Sequence, residues 1–487
     1  MKIKYLWPLL IVLSGCMGSS KMNSDLEYTL GFVSGNRVHV KLVYHPLEAD
    51  SVKFTYGEPM YGGQTDIIKG LNGLKVTGGK MNFNPSAREM SLYYRYGRAV
   101  IIEYDITDTH TTEMGTRGEL FRPLIFDDYF YCHGINLFLN PLFRDKNIKA
   151  TQSVSWEKLP AFSLFQAYDP GNDGTTVSTG KQADFKYKLI TGAKDMTVEK
   201  IKVDGTENYL VLRISKDKEL NTKEITGYFE KFYSAIRRFW KDTTTQSYSL
   251  ILQPFLAVNH SISGMSFGSG FLGKYTYKAD TILNPERIFV LSHEIGHHWF
   301  GGKIGAEDKD QWFEEGFNDY LTFYTLLMTG YMTPMEFEKK FNTVLRSYYS
   351  SNVRNQPNDS VWSNYWKMGD YNKLPYWRGS IFAFYLDNKI RLASKGDKCF
   401  HDLCLSILEF CKTKGEEYKF SEDDFIEIAS LYVGKKSISD DISKYVIKGE
   451  QIKFTNEMLV PVFGVAYKGD IPVISVKDEK EAAKLFH

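Results

Sequence analysis

The hydrophobic period of this chain changes near residue 220, and that change limits the folds open to it. Before it, short β-branched and aromatic runs are punctuated by Gly, Asn and Asp, as in Val38-His39-Val40-Lys41-Leu42-Val43, Ser91-Leu92-Tyr93-Tyr94 and Ala99-Val100-Ile101-Ile102-Glu103-Tyr104. Runs of that kind, separated by turn residues such as those of the loop 169–174, predict strands. After it, Ile225, Phe229, Phe232, Tyr233, Ile236 and Phe239 recur at helical spacing. A strand, Tyr248-Ser249-Leu250-Ile251-Leu252, and a glycine-rich stretch at 263–270 come next, and helical patterns dominate from Asn284 to about residue 450. Thr333-Pro334-Met335-Glu336 has the threonine cap, early proline and third-position glutamate of a helix start, and Ser421-Glu422-Asp423-Asp424 starts another. With 487 residues, 43% of them apolar, the chain can bury several domains' worth of core. The expected layout is multidomain: an all-β domain over 25–205, an α/β domain over 206–420, and an α-helical part over 421–487.

Charge narrows the partners. The 60 basic and 59 acidic residues are interspersed, so the concentrated basic footprint of a nucleic-acid binder is missing and no nucleic-acid partner is expected. The first residues read as an address. Lys2 and Lys4 precede an apolar run at 6–13 that is too short to span a bilayer, and then Leu13-Ser14-Gly15-Cys16. This resembles the lipobox of bacterial lipoproteins; a plain secretory signal with an incidental cysteine is the alternative. The resemblance implies that residues 1–15 are a signal peptide, that Cys16 carries a lipid, that 16–24 form a tether, and that the protein is membrane-anchored in the bacterial cell envelope, periplasmic or at the cell surface. Cys132, Cys399, Cys404 and Cys411 remain. Cys404 and Cys411 lie about 10 Å apart along a helix, too far to bridge, so apolar core thiols are expected.

The chemistry-bearing stretch is His293-Glu294-Ile295-Gly296-His297, on a helix opened by Asn284 and Pro285. Residues four apart share a helix face, so His293 and His297 can grip one metal ion while Glu294 sits beside them. A hydrolytic zinc site takes three protein ligands and keeps one position open. The third ligand is expected from Trp312-Phe313-Glu314-Glu315-Gly316-Phe317, the start of a second amphipathic helix. Glu315 is the preferred ligand, because a carboxylate among aromatics is costly without a cation. Glu314, expected to be more solvated, is the competing choice. His298 is off the ligand face and is read as packing; His133 and His260 carry no partner pattern.

These residues resemble a known family. His293-Glu294-x-x-His297-x-Trp299-Phe300-Gly301 and Trp312-x-x-Glu315-Gly316-Phe317 are similar to the gluzincin metallopeptidases, in particular the aminopeptidase N and leukotriene hydrolase type. Pro375-Tyr376-Trp377-Arg378-Gly379 is similar to that family's Tyr-x-Lys-Gly. Two further runs, one from Ala383 to Arg391 and one from Tyr445 to Gly449, look closer to the glycyl aminopeptidases. The resemblance covers about 225–465. It implies a thermolysin-like catalytic domain with one zinc ion per chain held by His293, His297 and Glu315, and Glu294 as general base toward a zinc-activated water. It further implies Tyr376 as stabiliser of the oxyanion, and a peptide or protein as substrate. Asp319, one turn after Glu315, could hold a ligand imidazole from behind, with a surface aspartate as the alternative. Too few residues remain beyond this region for the PDZ domain of the glycyl type, and none is expected.

Two departures stand out. The spacing between His297 and Glu315 is one residue shorter than the family's, which a deletion in the loop 302–310 explains. The aminopeptidases also carry a glutamate, in a Gly-x-Met-Glu-Asn or Gly-Gly-Leu-Glu strand, that binds the substrate's free amine; here Gly264, Met265 and Ser266 form the expected substrate strand, and Ser266 stands where the glutamate belongs. The expected function is therefore a zinc-dependent metallopeptidase, an aminopeptidase with altered amine recognition being one form of it. The rivals are a non-peptide zinc hydrolase and a non-enzymatic surface-binding lipoprotein with a structural metal.

Overall fold

The computed structural model describes residues 24–486 except 34–35, 60–63, 110–120, 173–176, 214–220, 246, 256–261, 277–282, 368 and 416–417. Cys16 and His260 lie outside the described residues.

The N-terminal strands arise from their alternation. In Leu26–Val33, the residues Leu26, Tyr28, Leu30 and Phe32 are buried while their neighbours are not, the period of a half-buried strand. This strand is the third in a six-stranded sheet, between Thr151–Lys158, its parallel partner, and antiparallel Arg37–Tyr44. A four-stranded sheet built on Ser51–Thr55 and Glu89–Tyr94 shares one apolar core with it. A third sheet, centred on Tyr129–His133 and Leu189–Ala193, turns its aromatic side toward the next domain.

That domain is a five-stranded sheet with helices. Strands β1 (Met196–Val203) and β2 (Thr206–Arg213) form an antiparallel hairpin, so the expected boundary at 205/206 falls in its turn. Strand β3 (Ser249–Phe255) pairs parallel with β2 and with β5 (Gly270–Thr276), and β4 (Ile262–Ser266) pairs antiparallel with β5 at the sheet's edge. Alternate β5 side chains serve two cores. Phe271 and Tyr275 face the helices, whereas Leu272 packs with Phe165, Tyr131 and Leu189 of the β-domain.

The longer helices are α1 (Thr222–Phe239), α2 (Pro285–Gly296), α3, α4 (Pro334–Ser350), α5 (Asp370–Ala393), α6 (Phe400–Lys414) and α7 (Glu422–Val433). Helix α3 is a π-helical segment, Trp312–Phe317, running straight into the α-helix Asn318–Thr329. The caps at Thr333 and Ser421 form as reciprocal boxes with Glu336 and Asp424. These helices share one aromatic-rich core with Trp240, Trp299, Trp312 and Phe317 fully buried. The C-terminal part is helical with one addition, a hairpin of Phe463–Lys468 and Ile471–Val476 seated on α4, where Asn342 exchanges hydrogen bonds of 2.7 and 2.8 Å with the backbone of Ile474. Cys132, Cys404 and Cys411 are buried, and all four described cysteines are free. Among the described residues no helix is long and apolar enough to cross a membrane.

Candidate metal centre

Helix α2 starts where the sequence says it should. The Asn284 side chain accepts the backbone N–H of Arg287 at 2.9 Å, and Pro285 occupies the first turn. The helix ends at Gly296, with His297 as its C-cap still in helical conformation. His293 and His297 therefore project on one face, with ring centroids 4.7 Å apart.

Glu315 meets them from α3. Its Oε2 lies 3.1 Å from His293 Nε2 and 3.3 Å from His297 Nε2. Tetrahedral zinc with bonds of about 2.0–2.1 Å has ligand-to-ligand edges of roughly 3.3 Å, so the three donors fit a single small cation. They are the group of metal-capable side chains found among the described residues. The other ring nitrogens each face an oxygen behind them. His297 Nδ1 donates to the Phe300 carbonyl at 3.0 Å. His293 Nδ1 is 2.9 Å from Asp319 Oδ1, an ion-pair distance, though off the line of an ideal hydrogen bond, so that nitrogen has no well-directed partner. Both contacts aim Nε2 at Glu315, so that a metal ion displacing its proton would find the lone pair there.

The electrostatics agree. Burial by itself would raise the Glu315 carboxyl, but the two imidazoles outweigh it and hold it far below the usual carboxylate range. Burial likewise works against a charged His293, yet Asp319 and Glu315 push it up to about 10. His297 is also raised, through Glu315 and against its burial. Carboxylates that raise both imidazoles in this way favour positive charge at the site, which a metal ion supplies when it displaces the protons.

Backbone contacts too close for any side chain bring the elements together. A Cβ on Gly296 would stand 2.0 Å from Asn318 Oδ1, and Asn318 Nδ2 donates to the His293 carbonyl at 2.7 Å, locking α3 to α2. A Cβ on Gly379 would stand 1.9 Å from the Trp312 carbonyl, and one on Gly316 2.3 Å from Gly379 Cα, so α5 crosses α3 backbone to backbone. That crossing sets Tyr376 over the site, its ring stacked on His293 at 5.8 Å with Lys373 Nζ 5.0 Å from its centroid. Glu294 is half-buried on α2, and its charge acts on His297.

The remaining expected positions are spread over the surrounding elements. Gly264, Met265 and Ser266 lie on β4, the edge strand against which α2 packs. The Ser266 hydroxyl donates to the Gly270 carbonyl at 3.4 Å. Glu314 is as covered as Glu315 rather than solvated, because its Oε1 accepts the Ala306 N–H at 2.8 Å from the loop before α3; burial raises its pKa. His298 is buried at the domain junction, with Thr245 and the Gly268 carbonyl as partners. His133 is buried in the β-domain beside Tyr131.

Two contributors escaped sequence reasoning. Asn318 is a polar residue in an apolar helix face, and that misfit was its only signal. Arg378 stands where the resemblance has lysine, yet it is buried and clamps the carbonyls of Arg354, Gln356 and Val446 at 3.0, 2.7 and 3.3 Å, tying α5 to its neighbours.

The fold is multidomain and of the aminopeptidase N type, with an N-terminal β-domain, a thermolysin-like α/β domain and a helical C-terminal part. The chain is similar to an aminopeptidase N family protein from Idiomarina loihiensis, with a TM-score of 0.74 over 91% of this chain and 79% of that one, at 15% identity. It is also similar to an M1 zinc metallopeptidase from Deinococcus radiodurans, solved as a mutant bound to a Tyr-Ser-Ala substrate, with a TM-score of 0.52 over 90% and 95% of the two chains, at 13% identity. At these identities the likeness is one of fold. The chain matches no family model and no curated protein sequence.

Proposed function

We propose that this protein is a zinc-dependent metallopeptidase that hydrolyses peptide bonds, with His293, His297 and Glu315 holding the ion. The observation that carries the reading is the convergence of two imidazole nitrogens and one carboxylate oxygen at 3.1 and 3.3 Å, beside a glutamate that is not a ligand and beneath a tyrosine. A bound zinc supplies Lewis acidity toward the scissile carbonyl and toward water. Glu294 takes the proton of the attacking water and delivers it to the leaving amine. The Tyr376 phenol donates to the carbonyl oxygen as it gains negative charge, a contribution of about 3 kcal/mol for a donor of this kind. Asp319 and the Phe300 carbonyl hold the imidazoles in register. A structural metal needs neither Glu294 nor Tyr376, which weighs against the non-enzymatic reading.

Amine recognition is altered in this proposal. An exopeptidase must neutralise the substrate's ammonium near the metal, and the Ser266 hydroxyl offers no charge. Peptides are instead held by backbone pairing along Gly264, Met265 and Ser266. A lipid on Cys16 anchors the enzyme in the bacterial cell envelope.

The test is metal analysis coupled to peptide-library cleavage, on the native chain and on Glu294→Gln and Tyr376→Phe. Native protein should contain one zinc per chain and cut peptides. Glu294→Gln should keep the zinc and lose essentially all turnover; Tyr376→Phe should lower kcat by about 10²-fold with KM nearly unchanged. An active Glu294→Gln enzyme would exclude the mechanism.

A further inference from the structure

A cavity of about 630 Å³ lies between the β-domain and the turn that follows β4, within the size range of ligand sites. Its floor is the turn joining β4 to β5, contributed by Ser269, together with His298, the residue after a metal ligand. Its roof comes from the β-domain and carries Lys188, Asp169 and Asp184.

The charges there are unequal in their company. Lys303 is neutralised by Asp242 at 2.5 Å and donates to Thr245 at 2.9 Å. Asp169 accepts from Ser178 at 2.6 Å and from Asn172 at 2.8 Å. Asp184 accepts the Lys181 backbone N–H at 3.0 Å. His298 is held neutral, its pKa pulled down to about 4 by burial. Lys188 is different. Its ammonium donates to the Ser269 hydroxyl, no carboxylate among the described residues stands within ion-pair distance of it, and burial lowers its pKa with only Asp184 opposing at longer range. A half-buried ammonium with a hydroxyl for company is a receptor for an anion.

The position of the cavity says which anion can reach it. Among the described residues, strand β4 pairs along one edge, with β5, so its other edge can add a peptide strand. In the commoner, antiparallel arrangement, the peptide's acyl side runs toward the C-terminal end of β4 and so toward the turn whose Ser269 lines the cavity. Ser266, where the resemblance places the amine-binding residue, is three residues before Ser269, so at about 3.3 Å per residue a peptide must extend two or three residues on the acyl side to span that interval.

We propose that this cavity is a subsite for an acidic side chain of the substrate, two or three residues on the N-terminal side of the cleaved bond, with Lys188 as its cationic partner and Ser269 beside it. The inference rests on the peptidase reading and gives it a substrate class: peptides that extend past the metal on the acyl side and carry Asp or Glu there.

The experiment uses acetylated peptides of one cleavable sequence with Glu at the third residue before the cleaved bond, Gln at that position, or Glu at the third residue after it. Turnover is measured with the native chain, Lys188→Gln and Lys188→Arg, and binding by calorimetry on Glu294→Gln with and without Lys188→Gln. The expected result is about a tenfold higher kcat/KM and affinity for the first peptide than for the second, abolished by Lys188→Gln, retained by Lys188→Arg, and with the Gln peptide cut equally by all. Equal handling of the first two peptides, a preference that survives Lys188→Gln, or a preference for Glu after the cleaved bond would overturn it. If no peptide is cleaved, the peptidase reading fails by itself and binding decides the subsite: Lys188-dependent preference for Glu sustains it, and equal binding overturns it. Should Lys188→Gln fail to fold, Ser269→Ala takes its place, and an undiminished Glu preference counts against the proposal.

Discussion

The crossing of α3 and α5 makes a sharp prediction at Gly379. A methyl group there would sit 1.9 Å from the Trp312 carbonyl oxygen, against 3.4 Å for ordinary contact, so backbone must yield by about 1.5 Å. Neither partner is a flexible side chain. Helix α3 is held to α2 by Asn318 and by the Glu315 contacts, and α5, which carries Tyr376, is tied to its neighbours through Arg378, so relief must shift one of these elements against the other. Overpacking of this kind costs about 3 kcal/mol or more, or roughly 6–12 °C in Tm at 2–4 °C per kcal/mol for a domain of this size. A displacement near 1 Å at a catalytic group costs about 10²-fold in rate. Gly379→Ala should therefore melt several degrees lower, keep its zinc, and lose most of its kcat. Differential scanning fluorimetry, metal analysis and peptide turnover read the three quantities. Gly227→Ala is the control: it is on the exposed face of α1 with nothing within 4 Å of a new Cβ, and it should gain up to about 1 kcal/mol. A Gly379→Ala protein with native Tm and native kcat would refute the backbone-contact reasoning.

Three further outcomes can be checked. N-terminally acetylated peptides should be cut about as well as free ones and aminoacyl anilides poorly; a preference of about 10²-fold for the free amine, nearly 3 kcal/mol, would show that another acid performs the task Ser266 cannot. The native chain should partition with membranes and be released by detergent, and a Cys16→Ser form that partitions identically would remove the lipid anchor. His133 is buried in neutral form, its pKa pulled from 6.5 down to about 3 by burial against a weaker backbone contribution. The unfolded chain thus binds a proton in that window that the folded one refuses, so stability present above pH 6.5 falls as pH drops from 6.5 toward 3, by roughly 4 kcal/mol at 1.36 kcal/mol per pH unit. Acid denaturation of His133→Gln should show a shallower slope across that window, and an unchanged slope would exclude this histidine as its source.

Much of this protein was legible in its residues because the relevant physics is local. A spacing of four puts His293 and His297 on one helix face whatever surrounds the helix, and Asn284-Pro285 and Thr333-Pro334-Met335-Glu336 declare helix starts through hydrogen bonds that span only a few residues. The alternation of Leu26 to Phe32 and the helical spacing of Ile225 to Phe239 separate the β-domain from the helix-rich half by period alone. Other features depend on atoms distant in the chain. The π-helical turn that presents Glu315, the tether of Glu314 to the Ala306 loop, and the diversion of Arg378 to three backbone carbonyls all need a neighbour whose position no local pattern encodes. Gly316 and Gly379 could be read as motif glycines. Only the tertiary structure shows that they are the contact point of two helices, since a missing Cβ has meaning only once another backbone occupies its place. The pairing of Lys188 with Ser269 across the domain junction is of the same kind. Periodicity and spacing determined the elements and the metal-binding face; packing decided what stands opposite each of them, because close approach is a property of pairs of surfaces and not of any one stretch of chain.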